Sequence, residues 1–297
     1  VKLHCGPLTQ RSKPVSPQPE QEGSVVSARR FYRIAWRRMA ANTGERTLTP
    51  ALIPPGPAHI NGVHTIGAGH VDHVELVLAA ASMASLLGDC GVRTTPKSEI
   101  LFSVVQRLPV ALDERVRDWI LLRTLRLNCV TEAYAPLWAG CYRPDFRLDR
   151  WTSDDLGREA VLSDVYESWS PRTPLRRAVD RRRASVELDA LVAIALDISV
   201  EELCSVYRTQ FPVLAGYDRR HYAFDSNGRL VPSSTLASTR RAGPRGVAVE
   251  DRTAVHPGSK VSYVHEPPFR FLDREADMKS AYVEFERRLS HRSAKTA

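Results

Sequence analysis

Residues 28–55, ARRFYRIAWRRMAANTGERTLTPALIPP, concentrate positive charge and lead straight into the first apolar, strand-like run of the chain. Phe31, Ile34 and Ala35 fall at helical spacing, while Arg29, Arg33 and Arg37 recur every four residues on another face, with Arg30 and Arg38 alongside. A half-buried segment of this kind presents a stripe of guanidinium groups to solvent. Such a stripe suits phosphate oxygens, which Arg grips bidentately. A solvated basic face with no partner is the alternative.

The length of 297 residues allows one large domain or two small ones, and a 43% hydrophobic composition is enough to bury a core. A net charge of +8 favours a polyanionic partner, nucleic acid before membrane, because no apolar run approaches spanning length. Cys5, Cys90, Cys129, Cys141 and Cys204 are odd in number, scattered and without a Cys-x-x-Cys pair. They indicate neither a disulfide framework nor a zinc ribbon, and the expected location is a reducing cytoplasm. The chain opens on Val1 without an apolar signal core, which points to a truncated chain or an alternative start.

Residues 1–28 are rich in Pro, Gln, Ser and Glu and read as a disordered lead. Leu48 to Ile53 and Val63 to Ile66 read as strands, the first closed by Pro54 and Pro55. Asp72 to Leu87 reads as one helix whose small residues, Ala79 to Ser82 with Ala84 and Ser85, allow close packing. Gly91 to Val110 reads as a turn, a polar segment with Arg93 and Lys97, and a strand over Ile100 to Val105. A helix is expected from Asp113 to about Cys129, and a long one from about Pro174, basic at Arg176, Arg177, Arg181, Arg182 and Arg183 and apolar later. Ser199 and Glu202 form a capping box for a short helix ending near Pro212. Asn227-Gly228 signals a hairpin over Tyr222 to Val231, with short strands at Val261 to Val264 and Phe269 to Leu272. A closing helix from Asp273 carries Met278, Tyr282, Phe285 and Leu289 as an inward stripe.

Several short strings invite chemistry. Gly67-Ala68-Gly69 after a strand and before a helix is how a nucleotide or S-adenosylmethionine pocket begins, but Asp72 stands where a dinucleotide fingerprint has its third glycine. His64, His70 and His73 with Asp72 could ligate zinc, yet Asp72 more simply caps the helix that follows. Glu266-Pro267-Pro268-Phe269 is the nearest string to the Asn- or Asp-Pro-Pro-aromatic turn that holds a flipped adenine, with a Glu one methylene too long, and reads as a strand-entry turn. Pro144-Asp145 lacks the acidic-x-Lys that a metal nuclease needs, and there is no Gly-x-Ser-x-Gly elbow or phosphate loop.

The aromatic-Arg run, Asn-Thr-Gly-Glu-Arg-Thr at 42–47 and Ala-Leu-Ile-Pro-Pro-Gly at 51–56 together resemble the start of the target-recognition region of large adenine-specific DNA methyltransferases. These are the fused Type IIG restriction-modification enzymes and their phage-defence relatives in phage growth limitation, BREX and DISARM systems. GVRTTPKSEILFSVVQRLPV at 91–110, ELCSVYRTQFPVL at 202–214, GYDRRHYAFDSNGRLVP at 216–232 and DREADMKSAYVEFERRL at 273–289 are similar to the same family in the same order.

The resemblance implies the recognition half of such an enzyme without its catalytic half. The 91–110 segment would face DNA, and its Leu-Pro step would leave the recognition fold. The expected architecture is α+β: a small mixed recognition domain over 29–112, a helical segment over 113–215, and a hairpin plus closing helix over 216–297. Arg29, Arg30, Arg33, Arg37, Arg38 and Arg46 are the expected phosphate contacts on double-stranded DNA. Arg93, Lys97, Arg208 and Gln210 are candidates for base edges, Arg and Gln being the side chains that read guanine and adenine. No catalytic residue and no metal ligand is assigned. S-adenosylmethionine and methyl transfer would belong to a methyltransferase catalytic domain or subunit elsewhere. A small methyltransferase built around Gly67 to Gly69, or a nonfunctional gene remnant, are the competing expectations.

Overall fold

The structure, a computed structural model, describes residues 26–41, 43–67, 69, 71–95, 98–153, 161–243, 246–256 and 258–296. The expected lead over 1–25 and Cys5 lie outside the described residues. The fold is α+β, with helices forming the body and short antiparallel sheets at its margins.

The first sheet has the order β2-β1-β3, from β1 (Arg33–Arg37), β2 (Ala51–Ile53) and β3 (Val63–Ile66). Arg33 pairs with Ile53 on one side of β1, and Arg37 pairs with Val63 on the other. The helical reading of residues 29–38 is therefore wrong. Tyr32, Ile34 and Trp36 alternate into the core, a period of two that aromatic and β-branched side chains support in a half-buried strand. The Trp36 indole donates to the Ile100 carbonyl at 2.8 Å, and Ile100 itself donates to the Arg38 carbonyl. Beyond that contact the expected strand over Ile100 to Val105 is instead a short helix, α3 (Phe102–Val105), which buries Val104 and Val105.

The expected single helix over Asp72 to Leu87 is two, α1 (His73–Ala84) and α2 (Leu86–Arg93), meeting at 65°. Ser85 breaks the first with an extended backbone and starts the second by accepting from the Gly88 amide. A Cβ on Gly88 would lie 2.2 Å from the Ser82 carbonyl oxygen, so the elbow requires glycine. No single helix among the described residues is long and apolar enough to cross a membrane.

Helix α4 (Arg117–Asn128) runs through the centre, with every residue from Trp119 to Arg126 buried. It packs on α1 and on α6 (Ala178–Ala195). A buried helix with two arginines needs partners for both. Arg123 lies between Asp149 and Glu187, 2.6 Å from each. Arg126 donates to the carbonyls of Thr173, Val161 and Leu162, pairs with no carboxylate among the described residues, and burial lowers its pKa to about 10. The short helix α5 (Ala135–Cys141), which follows α4 in the chain, packs on α1 and buries Leu137 and Trp138.

The capping box forms as the spacing implies: Ser199 and Glu202 exchange hydrogen bonds at the start of α7 (Val200–Gln210). Pro212 ends that helix and opens α8 (Pro212–Arg220). The Asn227-Gly228 turn closes through Asp225 and Arg229, and Val231 donates to Ala223. Its strand β4 (Ala223–Phe224) meets its return strand through the Phe224–Leu230 bridge, and also ladders with β7 (Arg270–Phe271) on its other side. Between them come α9 (Ser233–Ala242), α10 (Val249–Arg252) and a ribbon of β5 (Thr253–Val255) with β6 (Ser262–Val264). The closing helix α11 (Arg274–Thr296) lies along α6 and buries Met278, Tyr282 and Phe285, as its stripe predicts. One apolar cluster runs from Tyr32 to Phe285 through all three expected segments, and Ala223, Val231 and Leu236 form a small satellite.

Replacing Arg123 with Ala leaves Asp149 and Glu187 buried without their shared counter-charge, and should cost about 3–5 kcal/mol of stability, read from the urea midpoint by circular dichroism. Acid is a second probe. Hydrogen bonds from Arg287 and Arg288 hold the Glu284 carboxyl at about 2, below its ordinary 4.5. Its contribution is therefore present above pH 4.5 and lost as pH falls from there toward 2. A Glu284→Gln variant should show a flatter loss of stability over that window than the parent.

Candidate nucleic-acid interface

The arginines expected to project from the N-terminal stretch divide into two groups. Arg33 is buried in β1 and donates to the Pro57 carbonyl at 2.6 Å; burial, with Arg29 nearby, lowers its pKa. Arg38 pairs with Glu99 at 2.8 Å. Arg46 donates to Asp89 at 2.8 Å and to the Ala84 and Ser85 carbonyls, closing the turn at 43–46 onto α2. Each holds chain to chain, so the solvent-facing stripe does not form. Arg29, Arg30 and Arg37 are exposed, Arg29 with its Nε on the Gly56 carbonyl at 2.7 Å.

The expected base readers also turn inward or pair locally. Arg93 donates to the Gln210, Gly44 and Glu45 carbonyls, approaches Asp89 at 3.5 Å and stacks on Phe211 with 4.3 Å to the ring centre. A guanidinium with that many internal contacts is a bracket between α2, α7 and the 44–48 turn. Asp89 completes it: fully buried, it accepts from the Thr47 and Leu48 amides at 3.0 Å. Gln210 supplies its backbone carbonyl to this bracket, and Arg208 pairs with Glu275 at 2.7 Å. Lys97 lies outside the described residues.

The glycine and histidine strings are explained by packing. Gly67 has a φ of +155°, and a Cβ there would meet the Tyr32 carbonyl oxygen at 2.6 Å; one on Gly69 would meet the Phe31 ring at 2.7 Å. Asp72 accepts from the Val74 amide at 2.6 Å and from Glu75, the cap its position implies. His64 stacks near Trp36 and His73 sits edge-on to Tyr32, while His70 and Ala68 lie outside the described residues. Burial, then the nearby Arg38 and His59, lower the His64 pKa. Glu266, the first residue of the Pro-Pro-Phe turn, pairs with Arg252 at 2.7 Å. Among the described residues no group of three His, Cys, Asp or Glu side chains is placed to hold a metal ion.

Free positive charge gathers elsewhere. Helix α8 ends in Arg219-Arg220 and α9 ends in Arg240-Arg241, all four exposed. Arg240 donates to the Arg220 carbonyl at 3.0 Å, which brings the two helix ends together. Cations are favoured at helix C-termini by the unpaired carbonyls and the helix dipole. Two such ends side by side accumulate charge that no neighbouring carboxylate among the described residues pairs with. Aromatic rings border the arginines: half-exposed Tyr217 lies 5.0 Å from His221 and 5.4 Å from Tyr222. The Tyr222 hydroxyl donates to Glu45 in a short hydrogen bond, and burial followed by that contact raises its pKa. This bond ties the patch to the turn at 43–46.

Sequence reasoning missed Arg219, Arg220, Arg240 and Arg241 as contacts. The available signal was a doubled Arg at the last turn of two helices, one of them inside the 216–232 stretch quoted above. Comparison of the chain with protein-family models, with curated proteins and with solved structures returned no match.

The partition between internal and external arginines is directly measurable. Brief treatment of the folded protein with phenylglyoxal, followed by peptide mass mapping, should modify Arg37, Arg219 and Arg241 and spare Arg33, Arg93, Arg123 and Arg126. Equal modification of Arg93 and Arg219 would refute the bracket described above.

Proposed function

We propose that this chain binds duplex DNA through the paired arginines at the ends of α8 and α9 and so directs an adenine-specific DNA methyltransferase, or a related restriction or phage-defence enzyme, to its site. The carrying observation is the juxtaposition of Arg220, Arg240 and Arg241, exposed and bordered by Tyr217. Guanidinium groups that pair with no carboxylate among the described residues are the elements of a phosphate-tracking surface. Arg29 and Arg37 add exposed guanidinium groups at the margin of the first sheet. The overall charge of +8 supports a polyanionic partner. The resemblance of the 216–232 stretch to target-recognition regions supports DNA over other polyanions and names the enzyme class.

In this reading the chain works in the cytoplasm as a specificity partner. S-adenosylmethionine and the transfer chemistry belong to a catalytic domain or subunit. The competing reading, a small methyltransferase around Gly67 to Gly69, gains nothing from the geometry, because both glycines are fixed by contact with residues 31 and 32.

Duplex binding should weaken steeply with salt, measured by fluorescence anisotropy on a labelled duplex. Arg240→Ala with Arg241→Ala should lower affinity alike on all sequences and flatten the slope of log K against log salt by about 2, at about 0.9 per lost phosphate contact. Arg33→Ala should leave the slope unchanged. A salt-independent affinity, or a slope indifferent to the Arg240 and Arg241 changes, would show that the surface is not the DNA contact.

A further inference from the structure

We propose that the cleft framed by α7, α8, β7 and the first turn of α11 binds a nucleoside 5′-monophosphate group, either free or at the end of a nucleic-acid strand. The cleft has a volume of about 850 Å³, within the range of roughly 300–1,000 Å³ that small-molecule sites occupy.

Its floor is fixed by buried polar groups. Arg274 donates through Nε to Asp218 Oδ2 at 2.7 Å, and the Tyr207 hydroxyl donates to the same oxygen at 2.9 Å. Arg274 and Asp218 thus neutralise each other inside the wall. Burial, followed by the charge of Asp218, raises the Tyr207 pKa, so its hydroxyl remains a neutral donor.

The rim carries further charged groups. Arg208 and Lys279 both reach Glu275 Oε1, at 2.7 and 3.1 Å, and Lys279 also approaches Glu201 at 3.6 Å, so these two cations are matched by two carboxylates. Asp273 caps the first turn of α11 by accepting from the Ala276 amide. Arg219 also lines the cleft and makes no hydrogen bond or ion pair among the described residues.

Phe271 forms another part of the wall. It is 42% exposed, and among the described residues no ring or guanidinium stacks on it. A half-exposed ring and an unpaired guanidinium in one cleft are the two groups that a planar base and its phosphate require. Glu275 holds Arg208 and Lys279 in a way that an incoming phosphate would contest. The site therefore carries its own internal competitor.

Arg219 lies at the end of α8 and is shared with the proposed duplex surface. Phe271 belongs to the cleft alone and Arg240 and Arg241 to the duplex contact alone, so Phe271→Leu and the Arg240→Ala, Arg241→Ala protein make the two readings fail separately. Isothermal titration of the full chain with dAMP should show saturable binding, with deoxyadenosine weaker by about tenfold or more. Arg219→Ala and Phe271→Leu should each weaken dAMP by about tenfold, while Glu275→Gln should tighten it and the Arg240→Ala, Arg241→Ala protein should bind as the parent does. Displacement of dAMP by a 5′-phosphorylated single-stranded oligonucleotide, but not by its 5′-hydroxyl counterpart, assigns the site to strand ends; no displacement by either assigns it to free nucleotides. Absence of saturable dAMP binding, equal affinity for deoxyadenosine, or binding indifferent to Arg219→Ala and Phe271→Leu would overturn the proposal.

Discussion

The interior of this protein is organised around a buried guanidinium. Arg123 sits in the middle of α4 with Asp149 on one side and Glu187 of α6 on the other, and its plane lies over Phe285 of α11 at 5.1 Å. Burial alone would lower its pKa; the two carboxylates more than reverse that, so the group stays charged. Two buried carboxylates against one guanidinium would still leave negative charge in the core. Arg288 of α11 approaches Asp149 at 3.4 Å and Arg183 approaches Glu187 at 3.7 Å. The register of α4, α6 and α11 follows from closing this network, because a shifted helix would leave an ion without its partner.

The same device recurs away from the centre. Asp89 gathers Arg46, Arg93 and two amides of the 43–48 turn, and Asp189 of α6 accepts from the Leu86 amide, fixing the start of α2. Asp218 holds Arg274 and Tyr207. Many of the arginines that make the chain basic are thereby internal struts, each reaching a carboxylate or several backbone carbonyls. The arginines at the ends of α8 and α9 are the exception, since no carboxylate among the described residues pairs with them. The net charge of the chain is thus a poor guide to where its unpaired cations lie.

Local signals in the sequence were readable wherever the physics is local. The capping box at Ser199 and Glu202, the Asp72 cap, the Asn227-Gly228 turn and the stripe of α11 depend on residues within a few positions of each other. Failures came where tertiary contacts decide. Arg29, Arg33 and Arg37 have helical spacing, but Tyr32, Ile34 and Trp36 alternate, and sheet pairing with β2 and β3 selects the second pattern. The Ala-rich run at 79–85 hides its elbow, because the break depends on Ser85 and on the closeness of Gly88 to Ser82. Arg93 looked like a reader of base edges because its partners, Asp89 excepted, lie far away at 44, 45 and 210. The cleft beside α11 joins residues more than 60 positions apart, such as Arg208 and Glu275, and no pattern in the chain announces it.

Arginines with carboxylate or multiple carbonyl partners build the fold, and those exposed at the ends of α8 and α9 are the ones proposed above to meet DNA. Arginine side-chain NMR tests this division most directly, by following the Nε–H resonances of a nitrogen-15-labelled protein as duplex DNA is added at low salt. Shifts concentrated at Arg220, Arg240 and Arg241, with Arg33, Arg93 and Arg123 unmoved, are the expected result. Shifts at Arg33 and Arg93 with silence at the α8 and α9 ends would contradict the division and return the interface to the N-terminal stretch.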